Sequence, residues 1–192
     1  MAEVIAIRDG GTLYYDAAFF APDVAEALFD QLRQDTPWKQ EVSRGRPFPR
    51  LTAWYADPGL SYSYSGVTHH NMAWTPALLE VKRRVEEASG AAFNSLLLNR
   101  YRDGRDSIGM HADDEPELGS NPVVASVSLG AVRDFVLRHK ATGEEITFRL
   151  AHGSLLVMGG TCQRHWLHGV PKTAMAIGER INLTFRRIVP AG

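Results

Sequence analysis

The stretch "ERINLTFRR", residues 179–187, is the most informative strand in the sequence and the best guide to the fold. Polar and apolar side chains alternate along it with a period of two, so the two faces of the strand meet different surroundings. The apolar face must pack into a core and consists of Ile181, Leu183 and Phe185. The polar face consists of Arg180, Asn182, Thr184 and Arg186.

The two arginines of this strand favour a binding site for an acidic ligand. A buried guanidinium is costly without an anion, and its forked shape matches a carboxylate. Arg180 and Arg186 together therefore suit a dicarboxylate. The alternative is a strand whose polar face is simply solvated.

Other short β-rich runs lead up to this strand from Ala92 onward, separated by turn residues. They read "FNSLLLNRY", "PVVASVSLG", "VRDFVLRH", "EITFRL", "GSLLVMG" and "RHWLHGV", and "KATGEE" is typical of a hairpin turn. Two helices precede them. Seven or eight short strands after two helices predict a mainly β (α+β) fold, a double-sheet jelly roll supported by N-terminal helices. Periodicity alone leaves other β-sandwiches open.

The two helices carry clear end signals. "APDVAEALFDQLRQ" has a proline near its start and places Val24, Leu28 and Leu32 on one face. In "TPALLEVKRRVEEASG", Thr75 caps the helix, Pro76 takes the first turn and Gly90 ends it. Its apolar stripe consists of Leu78, Val81, Val85 and Ala88. Between the helices, residues 37–74 are rich in proline, glycine and tyrosine and predict hairpins and loops.

Composition bounds the class of protein. The chain of 192 residues fits one domain, and 44% apolar residues can form a core. No apolar run approaches membrane-spanning length, and "MAEVIAIRDGG" lacks the layout of a signal peptide, so we expect no membrane partner. The single cysteine, Cys162, excludes an internal disulfide and suits a reducing compartment. We therefore expect a cytoplasmic protein, or a nuclear one in a eukaryote.

Charge gives no global sign of a nucleic-acid binder, because the formal net charge is −1. Any contact with a polyanion must therefore be local. Residues 31–50 hold the densest basic cluster, which is either a solvated loop or such a contact. Its basic members are Arg33, Lys39, Arg44, Arg46 and Arg50.

The stretch "GMHADDEPELG", residues 109–119, predicts a metal site. In an extended segment His111 and Asp113 point to one side, and Asp114 points away. With a second histidine from a later strand, they form the facial triad that binds non-haem Fe(II) and leaves coordination positions open. His165 and His168 are rival candidates for that histidine, since on one strand they would lie on opposite faces.

Four motifs in a fixed order carry a family resemblance. They are N-x-Y at 99–101, H-x-D-D-E at 111–115, W-x-H-x-V-P at 166–171 and R-x-N-x-T-x-R at 180–186. In this order the chain resembles the AlkB family of Fe(II)- and 2-oxoglutarate-dependent nucleic-acid dealkylases, especially members that repair alkylated bases. "PRLTAWY" and "FNSLLLNRY" reinforce the likeness. The resemblance implies a double-stranded β-helix, which is a jelly roll and agrees with the strand count.

The resemblance also implies a set of ligands. It selects His168 over His165, so that iron is held by His111, Asp113 and His168. The cosubstrate 2-oxoglutarate would chelate this iron, with O2 as co-reactant. Arg180 would pair with the distal carboxylate of 2-oxoglutarate and Arg186 would lie nearer its chelating end. The remaining cosubstrate residues implied are Asn99, Tyr101, Asn182 and Thr184.

On the substrate side, the family's matching acid contacts the exocyclic amine of the base, which implies this role for Asp114. A carboxylate would favour the cationic bases 1-methyladenine and 3-methylcytosine. The segment "GLSYSYSG" would form part of a lid over a flipped base, with Tyr62, Ser63 and Tyr64 as contacts and Tyr64 stacking on the base. Arg44, Arg46 and Arg50 would meet phosphates or fill the gap left by the base.

A second basic group would contact the opposite strand. It consists of Arg133, Arg138, His139 and Lys140. At the hairpin, Val42, Ser43 and Arg44 stand where a bulky apolar wedge is expected in members that repair duplexes. Single-stranded DNA, double-stranded DNA and RNA are therefore all candidate substrates.

These inferences predict a monomeric oxidative demethylase that removes N-methyl lesions from DNA, with RNA as a further substrate. It would convert 2-oxoglutarate to succinate and CO2 and release formaldehyde. We expect a single dioxygenase domain over residues 1–192, with recognition hairpins and a lid at 37–74 and a jelly-roll catalytic core at 92–189. Two alternatives remain. One is an oxygenase of the same chemistry that acts on a protein, a lipid or a small molecule, and the other is a non-catalytic nucleic-acid-binding module with a vestigial site.

Overall fold

A computed structural model describes residues 2–43, 45–64, 67–70 and 72–189, with side chains throughout except at 61–64 and 67–70. The strands of the N-terminal half are β1 (Glu3–Ile7), β2 (Gly11–Asp16), β3 (Val42–Ser43), β4 (Arg46–Pro47), β5 (Leu51–Ala56), β6 (Ser61–Tyr64) and β7 (Val67–His70). Those of the C-terminal half are β8 (Ser95–Tyr101), β9 (Ile108–His111), β10 (Val124–Gly130), β11 (Arg133–His139), β12 (Glu145–Leu150), β13 (Ser154–Gly160), β14 (Trp166–Val170) and β15 (Arg180–Arg186). The α-helices are α1 (Pro22–Asp35), α2 (Pro76–Ser89) and α3 (Cys162–His165).

Helices α1 and α2 form where their end signals predicted. Thr75 Oγ1 accepts a hydrogen bond from the Leu78 amide at 3.2 Å, and Gly90 ends α2 with a φ of 65°. Both helices bury a stripe, but in α1 the prediction was wrong for Val24, which is 43% exposed. Its place on the buried face is taken by Ala25 and Phe29. No helix in the described part of the chain combines the length and apolarity needed to cross a membrane.

The larger of two main sheets has the strand order β1-β2-β13-β10-β15-β8-β5, and every neighbouring pair in it is antiparallel. Its three central strands, β13, β10 and β15, all belong to the predicted jelly-roll core. Strands β1, β2 and β5 extend it on both sides, although the sequence indicated no strands at residues 3–16 and only hairpins and loops at 37–74. The catalytic sheet therefore draws on more of the chain than residues 92–189.

The smaller sheet has the order β12-β11-β14-β9 and faces one side of the larger sheet. Apolar side chains from both sheets meet in one buried cluster, which includes Leu13, Val124, Phe135, Leu137, Leu156 and Trp166. The opposite side of the larger sheet packs against α1 and α2 in a second cluster. This arrangement of two packed antiparallel sheets with supporting helices is a double-stranded β-helix, or jelly roll.

Strand β15 has the two-faced character that its sequence predicted. Ile181, Leu183 and Phe185 are fully buried in the cluster on the helix side. The polar residues between them point the other way, into the space between the two sheets. That space holds a cavity with Asn182 and Thr184 in its wall. The interior of the sandwich is therefore polar along one strand.

The segment "RHWLHGV" is not a continuous strand, contrary to the prediction. Residues 162–165 form the short helix α3, in which the amides of Arg164 and His165 both donate to the Thr161 carbonyl, at 3.0 and 3.1 Å. Strand β14 begins only at Trp166. His165 therefore ends a helical turn, while His168 lies within the smaller sheet.

Candidate metal and cosubstrate site

His111, Asp113 and His168 converge at the open edge of the smaller sheet. His111 ends β9 and lies directly opposite His168 of β14 in the antiparallel ladder. Their Nε2 atoms lie 4.0 and 3.7 Å from the two carboxylate oxygens of Asp113. The ligand atoms of all three residues lie within 4.8 Å of one another. One cation could therefore contact all three.

The protonation states of these residues suit metal binding, which requires neutral imidazoles and an ionised carboxylate. His111 Nδ1 lies 2.8 Å from the Gly109 carbonyl, so Nδ1 carries the proton and Nε2 is the unprotonated nitrogen. Burial lowers the pKa of His111, and burial lowers the pKa of His168 to about 3. Burial alone would raise the pKa of Asp113, but the charges of Arg186 and the two histidines lower it to about 2.

Asp113 is fully buried, and its Oδ2 has no hydrogen-bond partner among the residues that the structure describes. A buried anionic oxygen without a partner is costly, so this atom suits a cation as its partner. Two imidazoles and one carboxylate form the ligand set of non-haem Fe(II) sites that bind a chelating cosubstrate and oxygen. The residues present therefore fit Fe(II).

A second group of possible ligands consists of Asp9, His139 and His165. Here both nitrogens of His139 are already used. Nε2 lies 2.8 Å from Asp9 Oδ2, and Nδ1 accepts from the Thr142 amide at 3.2 Å. These contacts account for His139 without a metal. They also show that His165 belongs to a different group from His111 and Asp113, so His168 is the second histidine of the triad.

Beside the triad, the cavity between the sheets combines polar and apolar walls. The polar residues that line it, besides the two histidines, are Asn99, Tyr101, Ser126, Asn182, Thr184 and Arg186. The apolar ones are Leu97, Ile108, Phe135, Met158 and Val170. All six cosubstrate residues implied by the sequence are therefore neighbours on β8 and β15, and all but Arg180 line the cavity itself.

Arg180 is 1% exposed and forms part of a chain of hydrogen bonds along β15. Its Nη2 donates to Ser128 Oγ and Asn182 Oδ1, both at 2.8 Å. Its Nε and Nη1 have no hydrogen-bond partner within the described ranges, and burial lowers its pKa. Its guanidinium carbon lies 5.2 Å from the centre of the Tyr101 ring. A buried guanidinium without an acid suits the carboxylate of a ligand.

Arg186 joins the cosubstrate strand to the metal triad. Its Nη2 donates to Asp113 Oδ1 at 2.8 Å, and both side chains are buried. The other oxygen of Asp113 is thereby left for the cation. Arg186 thus holds a metal ligand in place while it lines the cavity.

Several residues of the site were not predicted from the sequence. Gln163 of α3 is buried, and its Oε1 accepts from the Asp113 amide at 2.9 Å. Phe135 stacks on the His168 ring with centroids 5.4 Å apart. The sequence did contain a signal for Ser126 and Ser128, because they alternate with apolar residues along β10. In the sheet they lie opposite Thr184 and Asn182. The sequence contained no such signal for Gln163, because its role depends on a contact with Asp113, which is 50 residues away in the chain.

The substrate residues fall into three groups. The Asp114 side chain is 60% exposed, and Lys140 Nζ lies 3.2 Å from its Oδ2. Strand β6, which contains Tyr62, Ser63 and Tyr64, pairs with β7 as a hairpin, but these side chains lie outside the described part of the chain. Arg44 also lies outside it. The stacking and phosphate contacts of those four residues stay predictions.

The remaining basic residues are placed differently from the expected nucleic-acid contacts. Arg133 and His139 are buried, so the prediction of a surface role was wrong for both. The Arg133 guanidinium donates to the carbonyls of Asp103, Asp106 and Pro171. Arg138 pairs with Glu145, whereas Lys140 contacts Asp114 next to the metal triad. Arg50 is also buried and does not face solvent.

Comparison with known proteins agrees with this geometry. The family model of the 2OG-Fe(II) oxygenase superfamily matches residues 12–186. DNA oxidative demethylase ALKBH2 of Mus musculus is 41% identical over 186 residues, which cover 89% of this chain and 78% of that protein. The chain belongs to the AlkB family of 2OG-Fe(II) oxygenases.

A further AlkB relative is the alpha-ketoglutarate-dependent dioxygenase alkB homolog 3 of Rattus norvegicus. It is 46% identical over 180 residues, which cover 86% of this chain. This chain spans only 60% of that relative's length. Among solved structures, OsALKBH1 aligns with a TM-score of 0.69 at 17% identity and covers 96% of this chain and 100% of its own. That likeness supports the jelly-roll fold.

Members of this superfamily use Fe(II), 2-oxoglutarate and O2. The donor set at 111, 113 and 168 fits the iron, and the two arginines of β15 fit the cosubstrate's carboxylates. The cofactor expectation from the sequence is therefore confirmed at the level of the family.

Proposed function

We propose that this protein is an oxidative demethylase that removes N-methyl groups from bases of the 1-methyladenine and 3-methylcytosine type in DNA, with RNA as a further substrate. The reaction consumes 2-oxoglutarate and O2 and yields succinate, CO2, formaldehyde and the unmodified base. The names of the ALKBH2 and alkB homolog 3 relatives support this activity. So does the ordered set of ligands between the sheets.

When bound, iron with 2-oxoglutarate and O2 supplies the oxidation that hydroxylates the N-methyl carbon. The side chains of the protein hold and orient the reactants. Arg180 and Arg186 would offer guanidiniums to the two ends of a dicarboxylate. Asn99 and Tyr101 line the cavity from β8, as Arg186 does from β15. The apolar residues opposite them, such as Phe135 and Val170, limit the entry of water.

Asp114 provides a reason for the choice of base. Asp114 directly follows the metal ligand Asp113 in the sequence, and its carboxylate is exposed to solvent. A carboxylate attracts the positive charge of 1-methyladenine or 3-methylcytosine more than the neutral parent base. These lesions have also lost their normal pairing, so flipping them out of a helix costs less than flipping an intact base.

The observation that carries the proposal is a His-Asp-His cluster, with Asp113 and His168 buried, beside two buried arginines on one strand. Such a cavity accommodates a metal ion and a dicarboxylate together. By likeness to the family, a base would enter between the exposed Asp114 and the β6–β7 hairpin.

The proposal is tested by loading the protein with Fe(II) and 2-oxoglutarate without oxygen and then admitting air. The samples contain methylated or unmethylated oligonucleotides, as single- or double-stranded DNA or as RNA. We expect methylated strands to lose the mass of one methylene group while succinate accumulates. Succinate formation stimulated by free amino acids but not by methylated oligonucleotides would instead favour an oxygenase of another substrate class.

We further propose that the protein acts as a monomer, in the cytoplasm or, in a eukaryote, the nucleus. The single cysteine supports a reducing compartment. Sedimentation analysis and imaging of a tagged chain test these two points. The preference between single and double strands follows from the same oligonucleotide panel.

A further inference from the structure

Arg50 is a buried cation without an acidic partner. It precedes β5, next to the β3–β4 hairpin, and is only 4% exposed. No carboxylate among the residues that the structure describes lies within ion-pair distance of its guanidinium. Its Nε donates to Asn99 Oδ1 at 2.8 Å, and its guanidinium carbon lies 4.7 Å from the centre of the Phe48 ring.

The backbone around Arg50 is anchored on both sides. The Pro49 carbonyl accepts from the Ser107 amide at 2.8 Å, and Arg50 Nη1 approaches the Ser107 carbonyl at 3.4 Å. The Phe48 carbonyl accepts from Gln40 Nε2 at 2.8 Å. These bonds connect the segment to the residue that precedes β9, the strand of the first metal ligand. They hold the guanidinium over Asn99 rather than at the surface.

The bond from Arg50 determines which atom Asn99 offers to a ligand. An amide side chain has one acceptor oxygen and one NH2 group with two donors, whereas a guanidinium only donates. With its Oδ1 held by Arg50, Asn99 keeps its Nδ2 for the cavity that it lines. The reverse orientation would present an oxygen lone pair to an anionic cosubstrate, which is repulsive.

We propose that Arg50 is a positioning residue for the cosubstrate: it fixes the Asn99 amide so that a hydrogen-bond donor faces 2-oxoglutarate. This inference replaces the phosphate contact expected from the sequence, and it rests on the proposed function. It also assigns the junction between the recognition hairpin and β5 to the cosubstrate pocket.

The test compares 2-oxoglutarate binding and nucleic-acid binding in the same variants. Calorimetric titration of 2-oxoglutarate into the Mn(II)-loaded protein measures the first without turnover. Arg50→Met should weaken 2-oxoglutarate binding by about tenfold, the equivalent of one oriented hydrogen bond. Arg50→Lys should weaken it similarly, because an ammonium at the chain end does not reproduce Nε. The exposed Arg105, in the loop before β9, is the matched control, and Arg105→Met should leave this affinity unchanged.

A double-mutant cycle separates positioning from general damage. In an Asn99→Ala background, Arg50→Met should cause no further loss of 2-oxoglutarate affinity, because the amide that it orients is gone. A merely structural role would lower the affinity by the same factor in both backgrounds, and that result would overturn the proposal.

Salt dependence distinguishes the phosphate role. The affinity for a methylated oligonucleotide is measured by fluorescence anisotropy at several salt concentrations. A lost phosphate contact lowers the log–log slope by about 1, whereas a lost positioning contact leaves it unchanged. A reduced slope in Arg50→Met with unaltered 2-oxoglutarate affinity would refute the positioning role. Failure of the wild-type protein to bind 2-oxoglutarate at all would instead refute the proposed function.

Discussion

Arg186 Nη2 donates to Asp113 Oδ1 across 2.8 Å, between two buried side chains that come from opposite sides of the sandwich. This pair joins the larger sheet, which carries the cosubstrate residues, to the loop that carries the central metal ligand. Because Arg186 occupies one carboxylate oxygen, the metal is offered the other. The cosubstrate pocket and the metal site are therefore built as one unit.

Asp113→Ala should abolish turnover, because it removes the anionic ligand and leaves Arg186 without its buried partner. Asp113→Asn keeps the shape of the side chain but not its charge, and we expect it to be inactive as well. Binding of Mn(II) measured by calorimetry should be undetectable in both variants. Retention of wild-type metal affinity by either one would contradict the role of Asp113.

Asp114→Ala should impair base handling and spare the oxidation of the cosubstrate. The carboxylate is exposed and contacts Lys140, so its removal leaves the triad intact. We expect succinate formation to continue while demethylation of cationic bases falls, which is measured by quantifying both products in one reaction. Asp134→Ala, at another exposed acid, is the control and should keep the two products in step. A parallel loss of succinate in Asp114→Ala would place that residue in the metal site instead.

Gln163→Leu should weaken metal binding by about 10- to 100-fold, the usual effect of losing a residue that orients a metal ligand. Leucine cannot accept the hydrogen bond that the Asp113 amide donates to Gln163 Oε1. Calorimetric titration of the metal-free protein with Mn(II) measures the change. Gln34→Leu, at an exposed position of α1, should bind the metal like the wild type. Equal affinities in the two variants would show that Asp113 needs no such support.

Cys162 should be unreactive in the folded protein. Burial raises its pKa to about 12, with the charge of Asp113 acting in the same direction, so the thiol stays protonated far above neutral pH. At about pH 8, where an exposed cysteine of pKa ~8.5 is partly ionised, iodoacetamide should modify the protein only after unfolding. Mass spectrometry of native and denatured samples provides the comparison. Modification of the native protein at the rate of a free thiol would contradict this burial.

Properties that depend on local periodicity could be predicted from the sequence. The alternation of residues 180–186 predicted both the core face and the ligand face, because neighbouring residues of a strand always point to opposite sides. Thr75 and Gly90 marked the ends of α2 for a similar reason, since capping involves residues only a few positions apart. The convergence of His111 and Asp113 followed from their spacing.

Contacts between distant segments could not be predicted in this way. The prediction started the strand in "RHWLHGV" too early. The hydrogen bonds from the Arg164 and His165 amides to the Thr161 carbonyl form a helical turn there, and hydrophobic periodicity does not reveal them. Arg50 was expected at the surface, since its charge is visible in the sequence but its bond to Asn99 is not. Strands β1 and β2 were missed because β2 pairs with β13, far along the chain, and β1 in turn pairs with β2.

The two-faced character of β15 has a consequence for how the chain must fold. A slip of one residue against β8 or β10 would turn every side chain of the strand over. It would push the arginines in among the helices and drive Ile181, Leu183 and Phe185 into the ligand cavity. A misaligned ladder would therefore lose stability and activity together. Selection for stability and selection for catalysis therefore both act on the pairing of β15 with β8 and β10.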